Sequence, residues 1–434
     1  MEIILSLIAL ITIAMLAFKY AFVVGSCSVK SPINSKYKFK VSSRQRFVLL
    51  LLSVGIVQAG SFSSLLLSVW LVLLIILLIK YSTNLTRSRL FFFYGIYLVW
   101  LLFSLTFSPE IVYGVRVFAK YLFPFLVIAF VSQIEINDVF FLKALKVAYF
   151  SGILANLIIL LPKFLPIGTF IREIFTPIIW WSPAIVDFNS FVLLIAFVLY
   201  KLTKKKKYLY FIPFLFLIPI LASVRTGLIG LSATLIAFSF FKYKLRALPV
   251  FIIIVIGLIL SILFAPSLRD KMFSGKFKNA DIILKNAENI TIDDIDTNGR
   301  AASWEWALEN FYQDKEYMGS GLGNLQAVFY SGNHPFGRLK IIHNDYVQLL
   351  CDTGIIGLIL YLLVIIIFVV HCFRIYNNRK SLLTARYAAF IAGTSLCGIM
   401  ACAFTDNVIN YSLITLSYPY VFFGFALSLE NVKN

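Results

Sequence analysis

Long runs of apolar residues, broken by short basic loops, occupy almost the whole chain. Reading apolar runs between charged breaks predicts membrane spans near 3–24, 47–60, 62–79, 90–107, 116–132, 144–161, 184–200, 208–222, 226–241, 247–265, 354–372, 387–404 and 413–429. The runs are continuous rather than alternating, as in Leu65–Ile79, Val250–Phe264 and Ile355–Val370, which excludes the ten-residue alternating strands of a membrane β-barrel. The expected fold is all-α, a polytopic transmembrane bundle of about 12–13 spans. The run at 47–60 is short, and Gly60-Ser61 leaves only a tight turn before the next, so a re-entrant hairpin is an alternative there.

One polar stretch interrupts this pattern. Residues 266–345 hold 11 of the 20 acidic residues of the chain and two of its three histidines. The expected organisation is therefore a transmembrane bundle over 1–265, a large catalytic loop with short amphipathic helices over 266–345, and C-terminal spans over 346–434.

Charge then gives orientation. Lys30, Lys36, Lys38, Lys40, Arg44 and Arg46 share one loop without an acid, five lysines lie in 201–207, and Arg374, Arg379, Lys380 and Arg386 share another. With alternating spans these loops fall on one side, which the positive-inside rule makes cytoplasmic. The polar stretch and the N-terminus are then external, periplasmic or extracellular. The same placement accounts for the net charge of +19 without nucleic acid as a partner. Lys204–Lys207 reads as a positive-inside anchor, with anionic lipid headgroups as the alternative ligand. The five cysteines show no metal or disulfide spacing. The first run follows Met1-Glu2 without a basic leader, and reads as a retained span.

Three elements of the chain carry candidate chemistry. Arg225, in Ser223-Val224-Arg225-Thr226-Gly227, stands between two apolar runs with no acid nearby in sequence. An arginine so placed either snorkels to the interface or meets an anion. Arg116 opens another span in the same way. In the loop, Gly299-Arg300 precedes Trp304, Ala307, Leu308 and Phe311, one apolar helical face with Arg300 at its start. An arginine there is unfavourable for the helix dipole and suits an anion site. His343-Asn344 opens a short helix at the membrane face, where an imidazole could serve as a base. Gly319-Ser320-Gly321-Leu322-Gly323 lacks the strand and helix of a nucleotide loop and reads as a turn. Glu110, Glu173 and Asp406 occur singly in the short external loops, so paired carboxylates for a metal are not expected.

Ser223-x-Arg225-x-Gly227, Gly299-Arg300-x3-Trp304 and His343-Asn344 followed by Gly354-Ile355-Ile356-Gly357 occur in an order that resembles the O-antigen ligase and polymerase superfamily. Asp187-Phe188-Asn189 also suits that family. The likeness covers roughly residues 180–372, and the earlier spans agree in hydropathy alone. Thirteen runs depart from the twelve spans common in the family.

The resemblance implies a metal-independent, inverting membrane glycosyltransferase without cofactor, in a bacterial inner membrane. It would move a glycan from polyprenyl diphosphate to a sugar hydroxyl. It implies His343 as base, Arg225 and Arg300 as diphosphate ligands, and Arg116, Asn344, Asp187 and Asn189 as accessory residues. Its partners would be a polyprenyl-diphosphate-linked glycan donor, a glycan or lipid-linked glycan acceptor, membrane lipid and a chain-length regulator. A repeat-unit polymerase is the expected activity, with a ligase to a lipid A core as the alternative. A lipid-linked glycan flippase is the non-enzymatic alternative, which the absence of an internal repeat disfavours.

Overall fold

The computed structural model describes residues 2–23, 27–30, 38–81, 88–164, 168–175, 177–179, 182–222, 224–273, 299–337 and 339–431. Residues 274–298 of the large polar stretch, with five of its 11 acids, lie outside the described residues. The protein is a helical bundle, and each predicted apolar run forms a helix.

The first half contains α1 (Glu2–Phe18), a short hairpin of β1 (Cys27–Lys30) and β2 (Lys38–Val41), then α2 (Ser43–Val54), α3 (Ser63–Tyr81), α4 (Arg89–Thr106), α5 (Ile111–Val131) and α6 (Asp138–Phe164). The short α7 (Gly168–Phe175) leads to α8 (Ser182–Thr203), α9 (Ile212–Ala222), α10 (Arg225–Tyr243), α11 (Leu248–Phe264) and α12 (Pro266–Phe273). The second half contains α13 (Arg300–Phe311), α14 (Asn324–Ser331), α15 (Asp345–Asn377), α16 (Leu383–Cys402), α17 (Ser412–Thr415) and α18 (Ser417–Asn431).

Length separates these helices. Among the described residues nine are long and apolar enough to cross a membrane, or ten with the bent pair at 408–430. The sequence predicts 12–13 because hydropathy alone does not report where a helix stops. With 12 residues α2 is about 18 Å long and with 11 residues α9 about 16 Å, against a hydrocarbon core of roughly 30 Å. The 17 residues of α11 reach about 25 Å. α2 therefore joins a turn at 55–62 within the bundle, where Gln58 donates its backbone N–H to the Ile178 carbonyl at 2.9 Å.

Helices α8, α16 and α18 form the interior, with Phe188, Phe191, Phe390, Phe422 and Phe425 buried among them. Around them, α1, α3, α4 and α11 carry exposed Ile4, Val72, Phe92 and Ile253, as lipid-facing helices do. Contacts at one end tie the basic loops together. Gln45 Nε2 donates to the Glu135 carbonyl at 2.8 Å, Thr384 Oγ1 to Asp138 at 2.9 Å, and Ser381 Oγ to Glu430 at 3.1 Å.

At the opposite end, the described part of the polar stretch folds onto the bundle. Ala307, Leu325, Phe329, Ile342 and Cys351 make a small core of their own, packed with Trp304, Leu308 and Phe311. This is the apolar face predicted for α13. The buried Asp352 carboxylate accepts the N–H groups of Gly323 and Leu325, each at 3.0 Å, and so caps the N-terminus of α14.

Gly354 breaks α15 at φ 67°, ψ −175°, a region open to glycine alone. A β-carbon there would stand 2.2 Å from the Tyr317 carbonyl oxygen. The break lets Ile355 donate to the Glu316 carbonyl at 2.8 Å, and Ser320 and Gly321 donate to the carbonyls of Cys351 and Asp352 at 2.8 and 3.0 Å. The run 319–323 is thus a turn docked backbone to backbone, as its sequence predicts. Gly354→Ala should destabilise the protein by about 1–3 kcal/mol from strain alone, with the steric clash added. A thermal unfolding midpoint in detergent equal to wild type would refute this account of the break.

Candidate functional site

Two chain segments meet at the end of the bundle away from the basic loops. One is the entry to α15. Asn344 caps that helix, its Oδ1 accepting from the N–H groups of Tyr346 at 3.0 Å and Val347 at 3.1 Å. His343 precedes the cap in a left-handed conformation, φ 54°. The other segment is the connection from α16 to α17, residues 403–411. Its Asp406 Oδ1 lies 3.0 Å from His343 Nδ1, and the pair is 63 residues apart in sequence.

An ionised carboxylate only accepts, so this contact places the imidazole hydrogen on Nδ1 and leaves Nε2 with a free lone pair. The Asp406 side chain is nearly buried, while His343 keeps 22% of its side-chain surface. The arrangement is that of a histidine base with its orienting acid.

Asn407 fixes the geometry. Its Oδ1 accepts the His343 backbone N–H at 2.6 Å, and its own N–H donates to Asp406 Oδ1 at 2.8 Å. Its Nδ2 donates to Asp345 Oδ1 and Gln348 Oε1, both at 3.0 Å, and Asp345 Oδ2 accepts from Ile409 N–H at 3.0 Å. The amide is fully buried, with both its N–H donors and its oxygen engaged. These bonds hold His343 in its uncommon backbone region.

The first turn of α13 clamps both segments. Trp304 Nε1 donates to the Ile342 carbonyl at 2.8 Å, beside His343, and Arg300 Nη1 donates to the Thr405 carbonyl at 2.5 Å, beside Asp406. Burial pulls the Arg300 guanidinium below its ordinary pKa, and the nearby Asp406 carboxylate opposes that shift.

The pair opens on a cavity of about 820 Å³, whose lining includes Arg116, Lys120, Arg225, Arg300, His343 and Asp406. Arg225 reaches it as the first residue of α10. Two contacts position that helix start: Cys402 Sγ lies 3.4 Å from the Thr226 carbonyl, and Gly227 meets α8 so closely that a β-carbon would stand 2.0 Å from Val186. Ser223, the first residue of that motif, lies outside the described residues. Arg116 sits on α5 with its guanidinium 5.3 Å from the centre of the Tyr113 ring.

The structure therefore brings Arg116, Arg225, Arg300 and His343 to one cavity. Asn344 is buried beside it as a helix cap, and Asp187 and Asn189 are buried within α8, where Asn189 Oδ1 accepts from Asn156 at 2.7 Å. None of these three is in the cavity lining. Sequence reading missed Asp406 as the partner of His343, Asn407 as the brace and Lys120 as a lining residue. Asp406 had one legible signal, as the lone acid of a short loop, and that was weighed for metal binding alone.

Among the described residues no three His, Cys, Asp or Glu side chains converge as metal ligands. No curated protein matches the chain. A family model described as O-antigen ligase matches residues 209–362, about a third of the chain. That stretch contains Arg225, Arg300 and His343, while Asp406 lies beyond it. Residues 209–362 are thus similar to the O-antigen ligase family, and the candidate spans around them fit a multi-pass membrane protein.

Proposed function

We propose that the protein is a repeat-unit polymerase that transfers a glycan from polyprenyl diphosphate to a sugar hydroxyl, with inversion and without a metal. The observation that carries this reading is the opening of the His343–Asp406 pair and of Arg225 and Arg300 onto one cavity. In the reaction, the acceptor hydroxyl oxygen attacks the anomeric carbon from the side opposite the diphosphate. His343 Nε2 takes the hydroxyl proton as the new glycosidic bond forms. The bond from the anomeric carbon to the diphosphate oxygen breaks, and the charge that grows on the leaving diphosphate meets Arg225 and Arg300. The imidazolium pairs with Asp406 until its proton passes to water.

The basic loops occupy the other end of the bundle, which supports an inner-membrane protein with its cavity on the periplasmic or extracellular side. The family description favours a second reading, a ligase that passes the glycan to a lipid A core. Both share the donor half of the site.

A strain lacking the gene separates the two. Loss of a polymerase leaves single repeat units on the surface, whereas loss of a ligase leaves full-length glycan on its lipid carrier. In membranes of the wild type, elongation should persist in EDTA, and the new linkage should have the anomeric configuration opposite to that of the donor. Unchanged surface glycan in the deletion strain would refute both readings.

A further inference from the structure

A second, smaller cavity of about 330 Å³ lies at the other end of the bundle, beside the connection from α8 to α9. Pro183 near the start of α8 lines the outer cavity, and the 22 residues of that helix carry the chain to the opposite face. There the five lysines of 201–207 gather.

Three pieces of chain wall this groove. α6 supplies Tyr149, Phe150 and Ile153, the connection supplies Tyr208, and the approach to α9 and its first turn supply Phe211 and Phe214. The Tyr149 hydroxyl donates to the Tyr208 carbonyl at 3.2 Å, and their rings meet edge to face at 5.4 Å between centres. That pair fastens the connection to α6. Phe150 and Phe214 keep 55% and 51% of their surface, so the groove opens sideways, where lipid tails lie.

Cations stand at its basic end. Lys207 is part of the lining, and Lys146 precedes Phe150 and Ile153 by four and seven residues on one face of α6. Lys204 turns the chain at φ 59° as it leaves α8, its N–H donating to the Tyr200 carbonyl at 2.7 Å. Beyond that turn, Lys205 and Lys207 come within electrostatic reach of Lys146. Three like charges share one corner and repel one another, and an anion between them removes that cost. The rest of the groove is aromatic and aliphatic. Its ligand is therefore an anion with an apolar body, and basic pockets on the cytoplasmic side of membrane bundles take lipid headgroups. A diffuse positive-inside anchor needs the lysines and has no use for the groove.

We infer that this groove binds one anionic diacyl phospholipid from the leaflet facing the basic loops. Its phosphodiester sits between Lys146, Lys205 and Lys207, and one acyl chain lies along Phe150, Ile153, Phe211 and Phe214. The site is separate from the outer cavity and does not rest on the transferase reading.

Native mass spectrometry of the full-length protein, titrated with phosphatidylglycerol and with phosphatidylcholine of the same chains, tests it. Wild type should retain one phosphatidylglycerol in preference to phosphatidylcholine. Lys205→Gln with Lys207→Gln should weaken that binding about thirtyfold. Lys204→Asn with Lys206→Gln removes the same charge from exposed neighbours outside the groove, and should leave the binding unchanged. Phe214→Ser should weaken phosphatidylglycerol about tenfold through the lost apolar contact. Equal losses from the two lysine pairs would show diffuse attraction and overturn the site. Equal affinity of wild type for the two lipids, or full binding to Lys205→Gln with Lys207→Gln, overturns it as well.

Discussion

Replacing His343 with alanine should cut glycan elongation by about 10²–10⁴-fold, the usual contribution of a positioned general base. The structure limits what else the substitution removes. The contact to Asn407 is made by the His343 backbone N–H, which alanine keeps, so the entry to α15 retains its brace. Alanine is less at ease than histidine at φ 54°, so His343→Asn is the better-behaved companion variant, since asparagine tolerates the left-handed region. Both variants should reach wild-type levels in the membrane and bind the lipid-linked donor as wild type does. Elongation at the wild-type rate in either would remove His343 from the chemistry and leave the cavity without an identified base.

Asp406→Asn should produce the second large loss, at least about 10²-fold in kcat with little change in the KM for donor. The asparagine carbonyl can still accept the N–H of Asn407, so the turn keeps its shape. It cannot supply the negative charge that stabilises the imidazolium once Nε2 has taken the acceptor proton. If the amide nitrogen instead faces Nδ1, the imidazole hydrogen moves to Nε2 and the lone pair needed for the base is lost. Either outcome slows the chemical step and spares binding. An equal rise in donor KM with unchanged kcat would mean that Asp406 only shapes the cavity and does not serve the base.

These two residues show where sequence reading stops. His343 stood out because a histidine beside polar residues at a lipid boundary is locally unusual. Asp406 did not, because its role depends on a partner 63 residues away across two helices. Lys120 was hidden for a related reason. Within Phe118-Ala119-Lys120-Tyr121-Leu122 it resembles an interfacial snorkelling residue, and only the packing of α5 against the 408–411 turn puts its ammonium beside Asn410. Asn344 shows the reverse case. Its position before a helix is a sequence-level capping signal, and the structure uses it as a cap while His343 alone enters the cavity lining.

Hydropathy and basic-loop spacing determined the membrane class, the helical fold and the segregation of charge to one end, because these follow from local burial of the chain in lipid. The sequence also determined the three motif residues, since an arginine or histidine at the edge of an apolar run is conspicuous in one dimension. Tertiary structure alone decided where the helices begin and end, because helix ends are set by turns such as that at 55–62 and by breaks such as Gly354. It also decided that Arg116, Lys120, Arg225, Arg300, His343 and Asp406 share one cavity. Their convergence depends on the packing of α5, α10, α13, α15 and α16, and no local pattern in the chain encodes a distance between residues so far apart.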